Sequence, residues 1–211
     1  MSDKKKVPAR SGKPEAEQVH ELLWQALETE MGGVEIYLTA LRCAQNADLR
    51  KEWTKYHEQT TEHVQALQEV CREMGLDPDQ DTPGRQVVRH IGKSLVQAMH
   101  MALGSDDARA AELVAAECVT LAETKDHMNW ELIGQLLAHG AAGSAKRLGS
   151  AHAKIEDEED EHLYHTAGWA RELWIASLGL PAVLPPPEEK HDVQTAIGAA
   201  RAKEQREQDM Q

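Results

Sequence analysis

A glutamate and a histidine one helical turn apart, Glu159 and His162, are the residues best placed to do chemistry. Apolar residues around them recur at three- and four-residue intervals, so both side chains should share the inward face of a helix. A buried carboxylate is costly unless it is paired or bound to a cation. A carboxylate and an imidazole at this spacing can bind one metal ion, and the carboxylate can reach a second ion. The pair predicts a metal site, although Glu-x-x-His also arises by chance in charged helices.

The first half of the chain contains a matching pattern. Glu30 lies on an apolar stripe, and His63 follows it by 33 residues on the inward stripe of the next predicted helix. Glu123 precedes His162 by 39 residues in the same way. Because a turn falls near the middle of each interval, each glutamate should lie level with the opposing histidine. The predicted metal ligands are therefore Glu30, His63, Glu123, Glu159 and His162.

Four long helices are predicted to position these ligands. Their expected ranges are 15–44, 49–74, 107–138 and 145–178, and a shorter helix is expected at 83–103. Short turns would make the first and last pairs antiparallel, and the shorter helix would lie within one long crossover. Ser105 or Asp106 is the expected N-cap of the third long helix. The predicted fold class is all-α, as an antiparallel four-helix bundle.

This bundle is expected to span residues 15–180. Residues 1–14 are basic and polar, and they predict a disordered arm. Residues 181–211 begin with a proline-rich break and continue as a charged tail, for which a short surface helix and disorder both remain open.

Composition limits the class of protein. A chain of 211 residues suits one domain, and a net charge of −13 argues against nucleic acid as a partner. We found neither an apolar run of membrane-spanning length nor the apolar core of a signal peptide, so we expect no membrane partner and a cytoplasmic protein. The three cysteines form no CxxC pair, which favours reduced core positions over a zinc site.

The stretch from Tyr56 to Val64, together with the predicted ligands, resembles the ferritin-like superfamily of ferritins, bacterioferritins and rubrerythrins, and in particular stress-induced bacterial ferritin-like proteins. That resemblance implies a glutamate on the first and third bundle helices and Glu-x-x-His on the second and fourth. It further implies two iron ions, with manganese as a possible substitute, and reaction with dioxygen or peroxide. The implied function is ferroxidase activity or protection against peroxide, with a homodimer as the expected assembly.

One position departs from this pattern. The second helix has Thr60 where the family has a glutamate, and threonine is a poor ligand for iron. His127, Glu62 or a water molecule are the alternatives that could replace the missing ligand, although the favoured role of His127 is that of a core or interhelix hydrogen-bonding histidine. The site would otherwise hold one metal ion, or two ions unequally. Thr60 also supports a different hypothesis, in which the chain is a metal-poor interaction protein without catalysis.

Overall fold

A computed structural model describes residues 15–140 and 146–209 of the chain. The expected basic arm at 1–14 and most of the turn expected at 140–144 lie outside the described residues. Within them the protein is all-helical and contains no strand. The described residues form seven helices: α1 (Ala16–Cys43), α2 (Ala47–Glu73), α3 (Pro83–Leu103), α4 (Ala108–Ala138), α5 (Lys146–Ser177), α6 (Pro187–Lys190) and α7 (Ala196–Asp209).

Local sequence accounts for where several of these helices begin and end. The Asn46 side chain accepts hydrogen bonds from two backbone N–H groups at the start of α2, and Gly75, with φ of 73°, follows its end. The expected N-cap of α4 was wrong, because Asp107 fills that position rather than Ser105 or Asp106. The Asp107 carboxylate accepts from the first free N–H groups of the helix, whereas Asp106 has φ of 57° and turns the chain.

Four helices contact one another in a closed circuit: α1 packs against α2, α2 against α5, α5 against α4, and α4 against α1. The crossover helix α3 lies outside this circuit, against α1 and α4. The turn between α1 and α2 is fastened to α4, because Glu112 Oε1 accepts hydrogen bonds from the backbone N–H groups of Gln45 and Asn46 at 2.7 and 2.6 Å. These contacts bring one face of each of the four helices into a common interior.

The interior contains two separate apolar clusters. One includes Tyr37, Trp53, Met99 and Trp169, and the other includes Leu23, Leu67, Trp130 and Leu148. In each of the four helices of the circuit, one or more buried polar residues fall between side chains of these two clusters: Glu30 in α1, Thr60 and His63 in α2, Glu123 and Asp126 in α4, and Glu159 and His162 in α5. The fold therefore places a polar layer between two apolar layers.

The C-terminal segment folds back onto the end of α5. Arg171 binds the carboxylate of Glu188 through two hydrogen bonds of 2.5 and 2.8 Å, and Glu188 is buried. Arg206 of α7 binds Glu172 of α5 at 2.6 Å. The charged tail is thus helical over residues 196–209, and partly buried ion pairs join α6 and α7 to α5. Among the described helices, none has an apolar stretch long enough to cross a membrane.

Candidate metal centre

The five predicted ligands converge in the polar layer, and we call them the inner cluster. They come from four different helices, with Glu159 and His162 both on α5. None is more than 3% exposed: Glu30 0%, His63 0%, Glu123 3%, Glu159 1% and His162 0%. Periodicity placed these residues on inward stripes, and tertiary packing brings the stripes together at one level.

Within the inner cluster, two groups of three residues have the spacing of metal ligands. One group is Glu30, His63 and Glu159, and the other is Glu123, His162 and Glu159. In each group one ligand atom per residue lies within 4.8 Å of the other two. Glu159 belongs to both groups, so its carboxylate lies between the two candidate positions. This arrangement can hold two cations bridged by one carboxylate.

The ring of His63 is oriented by a carboxylate outside the inner cluster. Its Nε2–H donates to Glu158 Oε2 at 2.7 Å. Its Nδ1 lies 3.0 Å from Glu159 Oε1 and 3.4 Å from Glu30 Oε1, but makes no hydrogen bond of acceptable geometry. A histidine that donates through one nitrogen presents the other to a metal ion, as metal-binding histidines commonly do.

His162 has the same arrangement with an amide partner. Its Nε2–H donates to Gln59 Oε1 at 3.0 Å. Its Nδ1 lies 3.5 Å from Glu159 Oε1 and 3.6 Å from Glu123 Oε2, again without a hydrogen bond. Both histidines therefore turn Nδ1 toward the shared carboxylate of Glu159.

Among the described residues, several buried polar atoms in this layer have no hydrogen-bond partner. They include His63 Nδ1, His162 Nδ1, one oxygen of Glu30, one of Glu123 and both of Glu159. Buried polar groups in proteins are nearly always partnered, so such a group calls for a ligand, an ion or water. The donor set of carboxylates and imidazoles suits iron, manganese or zinc.

The carboxylates respond to burial and to one another. Burial, reinforced by the charge of Glu159, raises the pKa of Glu123 to about 7. Burial also raises the pKa of Glu30, against the opposing effect of His63. Asp126, one turn after Glu123 on α4, has its pKa raised well above the ordinary value by burial and then by the charge of Glu30. Burial thus favours the protonated form of these carboxyl groups, whereas a bound cation would favour the ionised form, so cation binding and loss of these protons are linked.

The pKa values of the two histidines and of Glu159 are shifted toward the charged forms. Burial alone would lower the pKa of His162, but Glu123 and Glu159 raise it to about 9. Burial is likewise outweighed at His63, whose pKa is raised by Glu30, Glu158 and Glu159. The pKa of Glu159 is lowered despite its burial, because both histidines face it. Protons on these histidines occupy positions that a metal ion would take.

Comparison with family models, with curated proteins and with solved structures finds no match.

Thr60 lies where the resemblance implies a glutamate, and it does not belong to either group of ligands. It is buried on the inward stripe of α2, with its methyl group toward Gly33 of α1. Neither of the two side chains named as possible replacements belongs to the groups of ligands. His127 Nδ1 lies 3.0 Å from Asp160 across the α4–α5 contact, and Glu62 binds Lys154 at the surface. The cluster thus offers three carboxylates for two positions.

Sequence reasoning missed three residues next to the inner cluster: Glu158, Gln59 and Asp126. Glu158 and Gln59 orient the histidines across the α2–α5 contact, and Asp126 adds a buried carboxylate. The spacing Glu123-x-x-Asp126 repeats the one-turn separation of Glu159 and His162, so it could have indicated Asp126. All six residues at positions 156–161 are acidic, so the sequence does not single out Glu158 from its neighbours. The packed structure shows which of these side chains contacts His63.

Proposed function

We propose that this chain is a ferritin-like protein in which α1, α2, α4 and α5 form an antiparallel four-helix bundle around two redox-active metal ions. Iron is the preferred metal, with manganese as a substitute. Two groups of ligands that share Glu159 carry this proposal. The closed circuit of helix contacts, with α3 in the crossover, supports the bundle.

The residues present fit two such ions by the chemistry of their donors. Glu30 and His63 would hold one ion, Glu123 and His162 the other, and Glu159 both. Each histidine has an outward N–H partner and an inward Nδ1, which is the orientation that a ligand histidine requires. Three carboxylates would offset most of the charge of two divalent cations.

When bound, ferrous ions at this position supply electrons for the reduction of dioxygen or peroxide. The chain itself contributes the surroundings of that reaction. Apolar layers on both sides exclude bulk water, and Trp130 Nε1–H holds Glu30 Oε1 at 2.9 Å. Tyr37 is fully buried near the cluster, and its pKa is raised well above the ordinary value by burial and by Glu123, which keeps its hydroxyl protonated. We therefore propose ferroxidase activity or peroxide protection.

Metal content of the full chain tests this proposal. Protein stripped with chelator and then given Fe(II) without oxygen should bind about two ions per chain. Glu123→Gln should lose about one ion, because only one group contains Glu123. Glu159→Gln should abolish or severely weaken the binding of both ions. Glu35→Gln, which removes the same charge from an exposed position on α1, should bind as the parent chain does.

Oxygen uptake on addition of Fe(II) is the second readout, and it should fall in step with metal content. Thr60 supports the alternative of an interaction protein that has lost its metals. No bound iron or manganese in the parent chain would overturn the redox proposal in favour of that alternative. About one ion per chain would show that a single position is functional.

A further inference from the structure

A second group of potential ligands lies outside the inner cluster. Glu52 of α2 and Glu161 and His165 of α5 each place one ligand atom within 4.8 Å of the other two, and we call them the outer cluster. His165 is 2% exposed and Glu161 8% exposed. None of the three belongs to either inner group, so the outer cluster is a distinct set of donors.

Two buried atoms of the outer cluster lack hydrogen-bond partners among the described residues. Glu52 Oε2 lies 3.6 Å from His165 Nδ1 and makes no hydrogen bond. His165 Nδ1 is 3.0 Å from the Tyr56 hydroxyl, and Nε2 of the same ring is buried without a partner. A solvated acidic surface would leave neither atom in this state. The unpartnered Glu52 oxygen faces the Nδ1 edge of this buried ring, and a bound species between the two side chains would satisfy it.

The charge around the outer cluster favours a cation. Besides Glu52 and Glu161, Glu189 of α6 approaches closely enough that burial and the charge of Glu52 raise its pKa to about 6. Lys55 binds Glu161 at 2.6 Å, but its side chain is 47% exposed and can turn into solvent. Two carboxylates and an imidazole, with a third carboxylate near them, form a donor set suited to divalent transition metals rather than to calcium or magnesium alone.

We infer that Glu52, Glu161 and His165 bind a single divalent transition-metal ion, at a third position separate from the inner pair. Tyr56 stands between the two clusters. Its ring centroid is 4.2 Å from that of His162, and its hydroxyl contacts His165. The third ion therefore lies beside the inner cluster, one aromatic ring away from it. This site does not depend on the proposed redox function.

Counting bound Co(II) tests the inference, because Co(II) resembles Fe(II) in its ligands and is stable in air. The chelator-stripped full chain is dialysed against Co(II), and bound metal is measured by elemental analysis. Four proteins are compared: the parent, an outer variant Glu52→Gln/His165→Gln, an inner variant Glu30→Gln/Glu159→Gln, and their combination. We expect about three, two, one and zero ions in that order. Glu35→Gln should match the parent.

The design separates the two proposals. If the inner pair does not bind metal, the parent and inner variant will bind equally, but the outer variant will still lose one ion. Equal binding by the parent and a folded outer variant, with unchanged helix content and melting temperature, would overturn the inference. If the outer variant does not fold, Glu52→Gln alone decides the question. This single variant should lower the affinity for one Co(II) ion on the order of 10-fold or more. Unchanged affinity for every ion would refute the third site.

Discussion

The imidazole rings of His63 and His162 lie nearly parallel, with an interplanar angle of 20° and centroids 5.9 Å apart. They come from α2 and α5, and each turns Nδ1 toward Glu159 between them. Two neighbouring imidazolium ions repel each other, which would lower both pKa values. The pKa values of both histidines are nevertheless raised, because the surrounding carboxylates stabilise the protonated rings. Metal ions at Nδ1 would take over the role of these protons.

Metal binding should therefore release protons. At pH 7 both histidines are protonated in the metal-free chain, since the pKa of His162 is about 9 and that of His63 is also raised. Binding two ions at Nδ1 should release roughly two protons per chain from the histidines, and a further fraction from Glu123, whose pKa of about 7 leaves it partly protonated. Calorimetry in buffers of different ionisation enthalpy measures this number. His162→Gln should lower it by about one, and tight binding without buffer dependence would contradict the assignment.

Glu158 should control metal affinity without touching the metal. Its carboxylate accepts from His63 Nε2–H, and that hydrogen bond is the main reason that the pKa of Glu158 is lowered. Glu158→Gln should weaken the first position roughly 10- to 100-fold. Asp157→Asn is the matched control, because it removes a charge from the exposed neighbouring position. Equal losses of affinity in the two variants would mean that only net charge matters.

Asp126 should destabilise the metal-free chain as the pH rises. Its pKa is raised well above 3.8 in the folded state, mainly by burial, so folding favours the protonated form. The associated stability is present below the unfolded pKa near 3.8 and is lost as the pH rises through the folded value. Asp126→Asn should therefore stabilise the chelator-treated chain by about 1–3 kcal/mol at pH 7.5.

Urea unfolding at pH 4 and pH 7.5 measures this effect of Asp126. The difference between Asp126→Asn and the parent should shrink toward zero at the lower pH, provided that both remain folded. A stabilisation of equal size at both values would assign the effect to packing rather than to ionisation.

Gly32 and Gly33 should respond differently to the same substitution. A Cβ at Gly33 would lie 3.1 Å from the Thr60 methyl carbon, whereas a Cβ at Gly32 meets nothing within 4 Å. Gly32→Ala should gain up to about 1 kcal/mol of stability from helix propensity. Gly33→Ala should gain less or lose stability, because the close contact opposes that gain.

Thermal unfolding of both alanine variants, with and without Thr60→Ser, measures the cost of that contact. Removing the Thr60 methyl group should recover most of the missing gain for Gly33→Ala and change nothing for Gly32→Ala. Similar behaviour of the two glycines in the presence of Thr60 would show that the helices separate at no cost.

Much of the helical arrangement was accessible from sequence. The predicted ends of the five long segments lie within two residues of the observed ends, because Asn46, Gly75 and Pro83 act locally on the backbone. Helical periodicity placed each predicted ligand on an inward stripe, and all five are buried. The N-cap of α4 was misassigned because three successive residues, Ser105, Asp106 and Asp107, have suitable side chains. Their backbone angles distinguish them, and those depend on how α3 leads into α4.

By itself, the sequence determined the helices, the inward stripes and the kinds of donor that lie on them, since these follow from local propensity and spacing. Only tertiary structure decided which donors meet. Packing places Glu159 in both groups of ligands. It also pairs His63 with Glu158, His162 with Gln59, and His127 with Asp160. The physical reason is that the axial level and rotation of one helix against another depend on packing over its whole length, so a shift of a few ångströms would change every partner.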